Sequence, residues 1–421
     1  MKKLIQHVAL YQDHGVLEGQ NIAIDGSRIT GFPEAPKASD YDEVIDGKGM
    51  LALPGFVNTH NHVAMTVFRS YADDMQLMDW LEKKIWPAEA KLTDDVIYAQ
   101  SMLGIAEMIR CGTTAYADMY DHMDQEARAV EESGIRACLC RGSIGIGPNA
   151  QAGLDENRQL FLDWHGKADG RITVMMGPHA PYTCPPDYLH KFVDQARELG
   201  AEIHIHLSET KGEVENIKSP IALMDEIGVL DCGCLAAHCV WVDDDDMDIM
   251  AAKHVRVAHN PGSNLKLASG IAPVSKMLAK GITVGLGTDG ASSNNNLDIV
   301  EEMRLTTLIH KAHTLDPLVI PAETAINMLT EGGAKCLGYT DVGKLETGYK
   351  ADITLVDREG LHWYPKNDTL SLMAYSANSM DVDTVLVNGE VLLRHKEFTK
   401  LDIEKIKAEA ERTRKKLFAQ I

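Results

Sequence analysis

The sequence has few basic residues for its length. Its 421 residues include 41 Lys and Arg against 62 Asp and Glu, which gives a formal net charge of -21 at pH 7. A negative surplus of this size repels a phosphate backbone and an anionic membrane surface, and no stretch rich in Lys or Arg offsets it locally. We therefore expect neither a nucleic-acid partner nor a membrane partner.

Long apolar runs and paired cysteines are also absent. No apolar run reaches the ~18–20 residues of a membrane helix. Lys2 and Lys3 are not followed by the apolar stretch of a secretory signal. The eight cysteines contain no C-x-x-C pair, which argues against a disulfide framework and against a thiolate zinc site. We expect a cytoplasmic protein with reduced, buried thiols.

The composition is that of a folded protein with a large core. Hydrophobic residues make up 45% and charged residues 24%, which is close to globular averages and far from a disordered chain. The length fits two or three domains of about 150 residues, or one α/β barrel of about 250 residues with additions.

Short β patterns occupy both ends of the chain. Residues 1–53 alternate apolar and polar, with Asp25-Gly26 between two strand-like pieces, as in a hairpin. Residues 351–396 have the same texture, with Asn388-Gly389 at a turn. We predict that residues 1–54 and 347–400 form one small β-sandwich domain, followed by a solvated C-terminal helix over residues 401–421.

Between these ends, β segments alternate with helical patterns, which predicts an α/β fold with parallel strands joined by helices. Eight repeats fit a (β/α)₈ TIM-type barrel over residues 55–346 better than an open doubly wound sheet. The G-x-G-x-x-G string at Gly285–Gly290 lies at the last strand, which argues against a dinucleotide site. The predicted strands are Gly55–His60, Thr113–Met119, Arg136–Arg141, Ile172–His179, Glu202–Leu207, Cys234–His238, Val255–His259 and Thr283–Asp289.

Metal-binding residue types stand at the carboxyl ends of several predicted strands, where barrel enzymes carry their catalytic groups. His60 and His62 are two residues apart on an extended segment, so both rings point to one face, as two ligands of one ion require. His206 and Asp289 can add an imidazole and a carboxylate from across the barrel mouth. Three His and one Asp suit Zn²⁺, and Fe²⁺ or Mn²⁺ would accept the same set.

Other histidines need a separate interpretation. A lone histidine at a strand end is more often a hydrogen-bonded core residue than a ligand, and it is the joint placement that favours a site. His179, His238 and His259 also end predicted strands. His204 precedes His206 by two residues and so faces the same side, one layer deeper, which favours a packing or supporting role.

The motifs resemble those of a known family. Pro54–His62 resembles the first-strand signature of the amidohydrolase superfamily, and Gly348–Asp357 resembles its closing β segment. Within the superfamily, His204–Thr210, His259–Leu267 and Gly287–Asn295 resemble the 5′-methylthioadenosine/S-adenosylhomocysteine deaminases. The likeness spans nearly the whole chain. It implies a hydrolase that removes the amino group from the adenine ring of 5′-substituted adenosines, with adenosine itself as a further substrate.

The resemblance also bears on the number of metals. Several members of the superfamily hold two metals bridged by a carboxylated lysine at the end of strand four. The corresponding segment, Ile172–His179, contains no lysine. We therefore predict one divalent metal per chain.

The chemistry of deamination suggests roles for three residues. Asp289, as a ligand beside an activated water, can take its proton. Glu209 lies three residues beyond His206, where a carboxyl group can protonate the ring nitrogen as the carbon becomes tetrahedral. His238 is placed to orient the attacking oxygen. The amino group then leaves as ammonia.

The resemblance also implies residues that bind the substrate. Glu89, the last residue of a Trp-Pro-Ala-Glu segment, would accept hydrogen bonds from both ribose hydroxyls. His179 would contact the nucleoside, and Arg141 would meet the carboxylate of a homocysteine tail. A second arginine for that tail is not clearly placed, with Arg158 as the one candidate. Apolar surface for adenine or a thioether, or else core packing, comes from Trp80, Trp86 and Met75–Met78.

Two other functions stay open. Because relatives look alike in the motifs that activate water, the chain could be a deaminase or chlorohydrolase acting on guanine, another amino-purine or an s-triazine. It could also be a non-catalytic scaffold relative, although such proteins usually lose ligands and this chain keeps them. The expected partner is a small nucleoside, and assembly into a homo-oligomer stays open.

Overall fold

The computed structural model describes residues 1–421 and contains two kinds of sheet. Eight strands from the middle of the chain pair in parallel, in two sheets of four, and strands from both ends form one nine-stranded sheet. The strands are β1 (Lys2–Gln12), β2 (Gly15–Asp25), β3 (Arg28–Gly31), β4 (Glu43–Asp46), β5 (Met50–Pro54), β6 (Phe56–Asn61), β7 (Thr113–Tyr120), β8 (Arg136–Arg141), β9 (Ile172–Val174), β10 (Ile203–Leu207), β11 (Cys234–His238), β12 (Arg256–His259), β13 (Thr283–Leu286), β14 (Ile353–Asp357), β15 (Val382–Val387), β16 (Glu390–Arg394) and β17 (Glu397–Phe398).

Helices fill the intervals between the parallel strands, because a parallel strand can follow its neighbour only after the chain has returned to the same end of the sheet. No helix combines the length and apolar character needed to cross a bilayer. The helices are α1 (Leu77–Trp80), α2 (Trp86–Glu89), α3 (Asp94–Arg110), α4 (Met123–Ser133), α5 (Ala150–Trp164), α6 (Lys167–Gly170), α7 (Pro186–Leu199), α8 (Lys211–Ile217), α9 (Pro220–Ile227), α10 (Asp244–Ala252), α11 (Pro261–Lys266), α12 (Val274–Ala279), α13 (Ile299–Thr314), α14 (Ala322–Leu329), α15 (Glu331–Cys336), α16 (Thr369–Tyr375) and α17 (Ile403–Phe418).

The parallel sheets have the orders β6-β7-β8-β9 and β10-β11-β12-β13, and backbone hydrogen bonds link them at both edges. Past the end of β9, Met176 donates its N–H to the carbonyl of Glu202 at 2.8 Å. At the opposite edge, Asp289 donates its N–H to the carbonyl of His60 at 3.0 Å. The carboxyl ends of strands from both sheets therefore face one another.

The nine-stranded sheet joins both ends of the chain. Strand β14 pairs antiparallel with β5, and β1 pairs with β2, β4 and β5. The turns at Asp25-Gly26 and Asn388-Gly389 connect β2 to β3 and β15 to β16, as the sequence predicted. Strands from the two termini thus belong to one connected sheet.

Two predicted strands end earlier than expected. The fourth ends at Val174 instead of His179, and the eighth ends at Leu286 instead of Asp289. The chain leaves the pleat at these points: Asp289 has a φ of 60°, and His179 donates its N–H to the carbonyl of Ser143 at 2.9 Å. Both side chains still lie just beyond the strand ends.

The C-terminal helix α17 is less solvated than its composition suggested. Ile406, Ala410, Thr413 and Leu417 are buried, and Gln100 on α3 donates its side-chain N–H to the carbonyl of Ala410 at 2.7 Å. The buried residues recur with helical spacing and so share one face. The many Lys and Glu residues cover the other face, which is why composition alone was misleading.

Arg136 connects the parallel strands to the terminal sheet. It begins β8, and its Nε lies 2.8 Å from Oδ2 of Asp352, with side chains only 2% and 0% exposed. Asp352 also accepts the N–H of Asn388 at 2.7 Å. The ion pair is thus buried and shared between elements far apart in sequence.

We expect Arg136→Ala to lower the free energy of unfolding by about 3–5 kcal/mol, because it leaves the Asp352 carboxylate buried without its partner. Urea unfolding followed by circular dichroism measures the change. Arg158→Ala is the control, since Arg158 pairs with Glu198 at the surface and exposed pairs contribute little. Equal decreases in the free energy of unfolding of the two variants would contradict the structural role of the buried pair.

Candidate active site

Five side chains from both parallel sheets converge at the strand ends. His60 and His62 come from the end of β6, His206 from β10, His238 from β11 and Asp289 from the turn after β13. The side-chain nitrogens of His60, His62 and His206 lie within 4.8 Å of one another, as do the donor atoms of His60, His238 and Asp289. The structure thus brings together all four residues predicted as metal ligands, with His238 beside them.

Two of the histidine rings are held from behind by backbone carbonyls. His62 Nδ1 is 2.5 Å from the carbonyl oxygen of Met119, and His206 Nδ1 is 2.7 Å from that of His179. Because a carbonyl oxygen only accepts, each Nδ1 carries the proton and each Nε2 keeps its lone pair. The Nε2 atoms lie 3.4 Å apart in the cluster, in the orientation that metal ligation requires.

His204 contacts the cluster from outside. Its Nε2 is 2.9 Å from Nδ1 of His60, and its Nδ1 is 3.6 Å from Sγ of Cys140. Burial lowers the pKa of His204 to about 3, so the ring is neutral. His259 points elsewhere, with its Nε2 3.2 Å from Nε2 of His310. Of these two histidines, only His204 touches a predicted ligand.

The residues present fit a divalent cation. His60 Nε2 is buried and has no hydrogen-bond partner, which costs free energy unless a cation takes its lone pair. Asp289 Oδ1 lies 3.6 Å from His60 Nε2 and 3.3 Å from His62 Nε2. Burial raises the pKa of Asp289, but His62 and His238 outweigh it and hold that pKa below its usual value. Three imidazoles and a carboxylate are a donor set that suits Zn²⁺.

Glu209 and His238 face each other beside the cluster. Glu209 Oε2 lies 3.9 Å from His238 Nε2, while His238 Nδ1 is 2.9 Å from Oδ1 of Asn264. Burial raises the pKa of Glu209. Burial lowers the pKa of His238, but Glu209 and Asp289 outweigh it and raise that pKa. A carboxyl group with a raised pKa is better suited to donate a proton than an ordinary carboxylate.

Glu213 supports Glu209 and was not identified from the sequence. Its carboxyl oxygens accept the backbone N–H groups of Ser208 and Glu209, each at 3.0 Å. Ser208 has a φ of 51°, a left-handed conformation that surrounding contacts must hold. The sequence feature that could have indicated this role is the position of Glu213 in the first turn of α8, where a carboxylate commonly accepts free backbone N–H groups.

A cavity of about 360 Å³ lies over the cluster, a size that suits a small ligand. Polar side chains of the cluster line its floor, including His62, His206, His238 and Asp289. Trp80 and Trp86 line the same cavity, whereas Met75 and Met78 do not. Other apolar walls come from Leu81, Ile85, Ile144 and Leu267.

Glu89 also lines the cavity. The hydroxyl of Tyr120 donates to its Oε1 at 2.8 Å. Burial raises the pKa of Glu89 to about 7, although the hydrogen bond from Tyr120 opposes the rise. The sequence analysis did not identify Tyr120 as a site residue. Its position at the carboxyl end of β7 could have indicated that role.

Arg141 and His179 line the cavity, whereas Arg158 does not. Burial lowers the pKa of His179 to about 4, so its ring is neutral. Arg141 forms ion pairs with Asp121 at 3.0 Å and Glu156 at 2.6 Å. Arg158, the one candidate for a second arginine, pairs with a surface glutamate instead and does not line this cavity.

Comparison with known proteins decides the family. The model of the Amidohydrolase family matches residues 51–392. The chain belongs to this family. A 5-methylthioadenosine/S-adenosylhomocysteine deaminase of Dictyoglomus turgidum is 50% identical to this amidohydrolase over 417 residues, which cover 98% of each chain. The chain is therefore a hydrolase of C–N bonds, as its motifs predicted.

Solved structures of other hydrolases are similar over the whole chain. An adenosine deaminase from Xanthomonas campestris with bound zinc is 30% identical, covers 99% of this chain and 98% of its own, and gives a TM-score of 0.93. The zinc complex of the atrazine chlorohydrolase TrzN from Arthrobacter aurescens is 25% identical to this chain. The match covers 98% of this chain and 100% of the TrzN chain, with a TM-score of 0.91. Both are similar to this amidohydrolase in overall fold.

We expect His204→Phe to weaken metal binding about 10–100-fold, because it removes the group that holds the His60 ring from behind. Retained metal is measured by mass spectrometry after dialysis against graded chelator concentrations. The control is His190→Phe at an exposed position of α7, which should retain metal as the unmodified protein does. Equal metal retention by both variants would rule out the supporting role of His204.

Proposed function

We propose that this amidohydrolase deaminates the adenine ring of 5′-substituted adenosines, chiefly 5′-methylthioadenosine and S-adenosylhomocysteine, to the inosine analogue and ammonia. One observation carries the proposal: a single cavity holds the histidine-aspartate cluster, Glu209 and the carboxyl group of Glu89. The name of the Dictyoglomus turgidum relative, at 50% identity over nearly the full length, supports the same substrates.

His60, His62, His206 and Asp289 would hold one divalent cation, with Zn²⁺ as the first choice and Fe²⁺ or Mn²⁺ compatible with the same donors. Two similar structures contain zinc, and the absence of lysine from Ile172–His179 supports a single ion. A cation held there supplies Lewis acidity, which makes an oxygen nucleophile available near neutral pH.

The remaining chemistry is proton movement by side chains. Asp289 takes the proton of the attacking water. Glu209 gives a proton to the ring nitrogen beside the attacked carbon, and its raised pKa keeps a proton available for that step. His238, whose Nε2 faces Glu209 at 3.9 Å, orients the attacking oxygen. The proton held by Asp289 then passes to the amino group and ammonia leaves, while the hydroxyl proton on the attacked carbon returns to Glu209.

Substrate contacts follow from the lining of the cavity. Glu89 accepts hydrogen bonds from the two ribose hydroxyls, and Tyr120 fixes its orientation through Oε1. His179, neutral and at the cavity wall, contacts the nucleoside. Trp80 and Trp86 supply apolar surface, and Arg141 meets the carboxylate of a homocysteine tail.

A second candidate is hydrolysis of an s-triazine, guanine or another amino-purine. The likeness to TrzN, at a TM-score of 0.91, favours it. An s-triazine or a free base has no ribose, however, and would leave the Glu89 carboxyl group without a partner from the substrate. The deaminase relative is also twice as similar in sequence, at 50% against 25% identity.

The fold supports a division of the chain into a barrel, a terminal β domain and a C-terminal helix. We infer that the two parallel sheets are halves of one closed (β/α)₈ barrel over residues 55–346, which the hydrogen bonds at both edges support. Residues 1–54 and 347–400 form a separate β-sandwich, supported by a buried cluster that includes Ile5, Leu10 and Ile353. Residues 401–421 are a C-terminal helical extension.

Purified protein supplied with zinc should convert methylthioadenosine, S-adenosylhomocysteine and adenosine, as followed by the absorbance change from adenine to hypoxanthine. We expect Glu209→Gln to keep its metal yet lose turnover about 10²–10⁴-fold, because the proton donor to the ring is gone. No conversion by metal-replete protein would refute the substrate assignment. An active Glu209→Gln variant would remove Glu209 from the proton path.

The pH dependence should report on Glu89. Its pKa of about 7 means that the carboxyl group is protonated below this pH and ionised above it, and only the ionised form accepts both ribose hydroxyls. We therefore expect KM for methylthioadenosine to rise as pH falls below about 7. Glu89→Gln should raise KM at pH 8 and abolish this pH dependence, with little effect on KM for a free amino-purine base. A variant that keeps the wild-type pH profile would contradict the role.

A further inference from the structure

We propose that Asp121 is a specificity-determining residue that forms, with Arg141, a paired subsite for the zwitterionic α-amino acid tail of S-adenosylhomocysteine. In this subsite Arg141 binds the tail carboxylate, and a free carboxylate oxygen of Asp121 receives the tail ammonium group. This inference rests on the proposed function, because the tail belongs to that class of substrate.

Asp121 has an oxygen to offer to a ligand. It lines the cavity together with Arg141, and its side chain is 43% exposed. Its Oδ1 lies 3.0 Å from Nη2 of Arg141 and accepts the N–H of His122 at 2.9 Å. Both contacts use the same oxygen, so Oδ2 stays free to accept from an ammonium group.

Arg141 keeps donors for a carboxylate even though it is already paired. Its Nε donates to Glu156 at 2.6 Å, its Nη1 donates to the carbonyl of Gly142, and its Nη2 pairs with Asp121. A guanidinium group carries five N–H donors. These three contacts leave N–H donors on the terminal nitrogens that a carboxylate can use.

The arrangement of charges matches a zwitterion better than an anion. One arginine stands against two carboxylates, Asp121 and Glu156, so the group as a whole is negatively charged. A tail that carries only a carboxylate would be repelled by this excess, whereas an added ammonium group would be attracted. In an α-amino acid the ammonium and carboxylate groups are attached to the same carbon. The protein groups that bind them must therefore be neighbours, as Asp121 and Arg141 are.

The test uses four thioadenosines that differ only at sulfur: the methyl thioether, S-adenosylhomocysteine, the 3-aminopropyl thioether and the 3-carboxypropyl thioether. The last two lack the tail carboxylate and the tail ammonium, respectively. Each is assayed by deamination with unmodified enzyme, with Asp121→Asn and with Glu156→Gln. The two variants remove the same charge beside Arg141, but Glu156 does not line the cavity, so Glu156→Gln is the matched control.

We expect Asp121→Asn to lower kcat/KM for S-adenosylhomocysteine and for the aminopropyl thioether about tenfold or more relative to the methyl thioether, since an ammonium–carboxylate hydrogen bond is lost. The loss should lie in KM, because the tail is remote from the reacting ring. The carboxypropyl thioether should improve relative to the methyl thioether. Glu156→Gln should reduce the preference for the aminopropyl thioether much less than Asp121→Asn does, because Glu156 does not line the cavity.

Two results would overturn the role of Asp121. One is an unchanged ratio of S-adenosylhomocysteine to methyl thioether in Asp121→Asn. The other is an equal loss in Asp121→Asn and Glu156→Gln, which would show a general effect of charge. If the unmodified enzyme converts none of the four compounds, the proposed function fails and this inference fails with it, so the two failures are distinguishable.

Discussion

Several buried lone pairs are held close together in this protein, and the rest of the site depends on how their orientation is fixed. His60, His62, His206 and Asp289 bring acceptor atoms close together, and His60 Nε2 has no hydrogen-bond partner in the protein. A cation that takes these lone pairs removes the free-energy cost of leaving them unpaired in a buried site. The rings are held from the far side, by two backbone carbonyls and by His204. Strands from both parallel sheets must therefore keep a fixed relation to one another.

The same requirement explains the backbone at the strand ends. Ser208, His238 and Asp289 have φ angles of 51°, 76° and 60°, a left-handed conformation that costs a residue other than glycine about 1–2 kcal/mol. It turns the chain out of the pleat, and the side chains of His238 and Asp289 line the cavity. Glu213 holds one of these turns through two backbone N–H groups. Rigidity at the mouth is thus obtained by hydrogen bonds outside the cluster.

The sequence was informative where a local pattern determines the outcome. The two-residue spacing of His60 and His62 predicts one shared face, and both rings do lie in the cluster. Glu213, Tyr120 and Asp121 escaped notice because their roles depend on contacts with other elements, which no local pattern displays. The early end of β9 has the same origin, since the backbone after Val174 is positioned by Ser143 and Glu202 from other segments. The buried face of α17 was hidden by its charged composition.

The pairing of β5 with β14 has a consequence for biogenesis. Strand β5 ends at Pro54, and Gly55, which leads into β6, donates its N–H to the carbonyl of Asp352 at 2.9 Å. After β5 is made, roughly 300 further residues must be synthesised before β14 exists, which takes about 15–60 s at usual synthesis rates. Throughout that time one edge of the strand has no native partner. The first strand of the catalytic region thus receives its final support only near the end of translation.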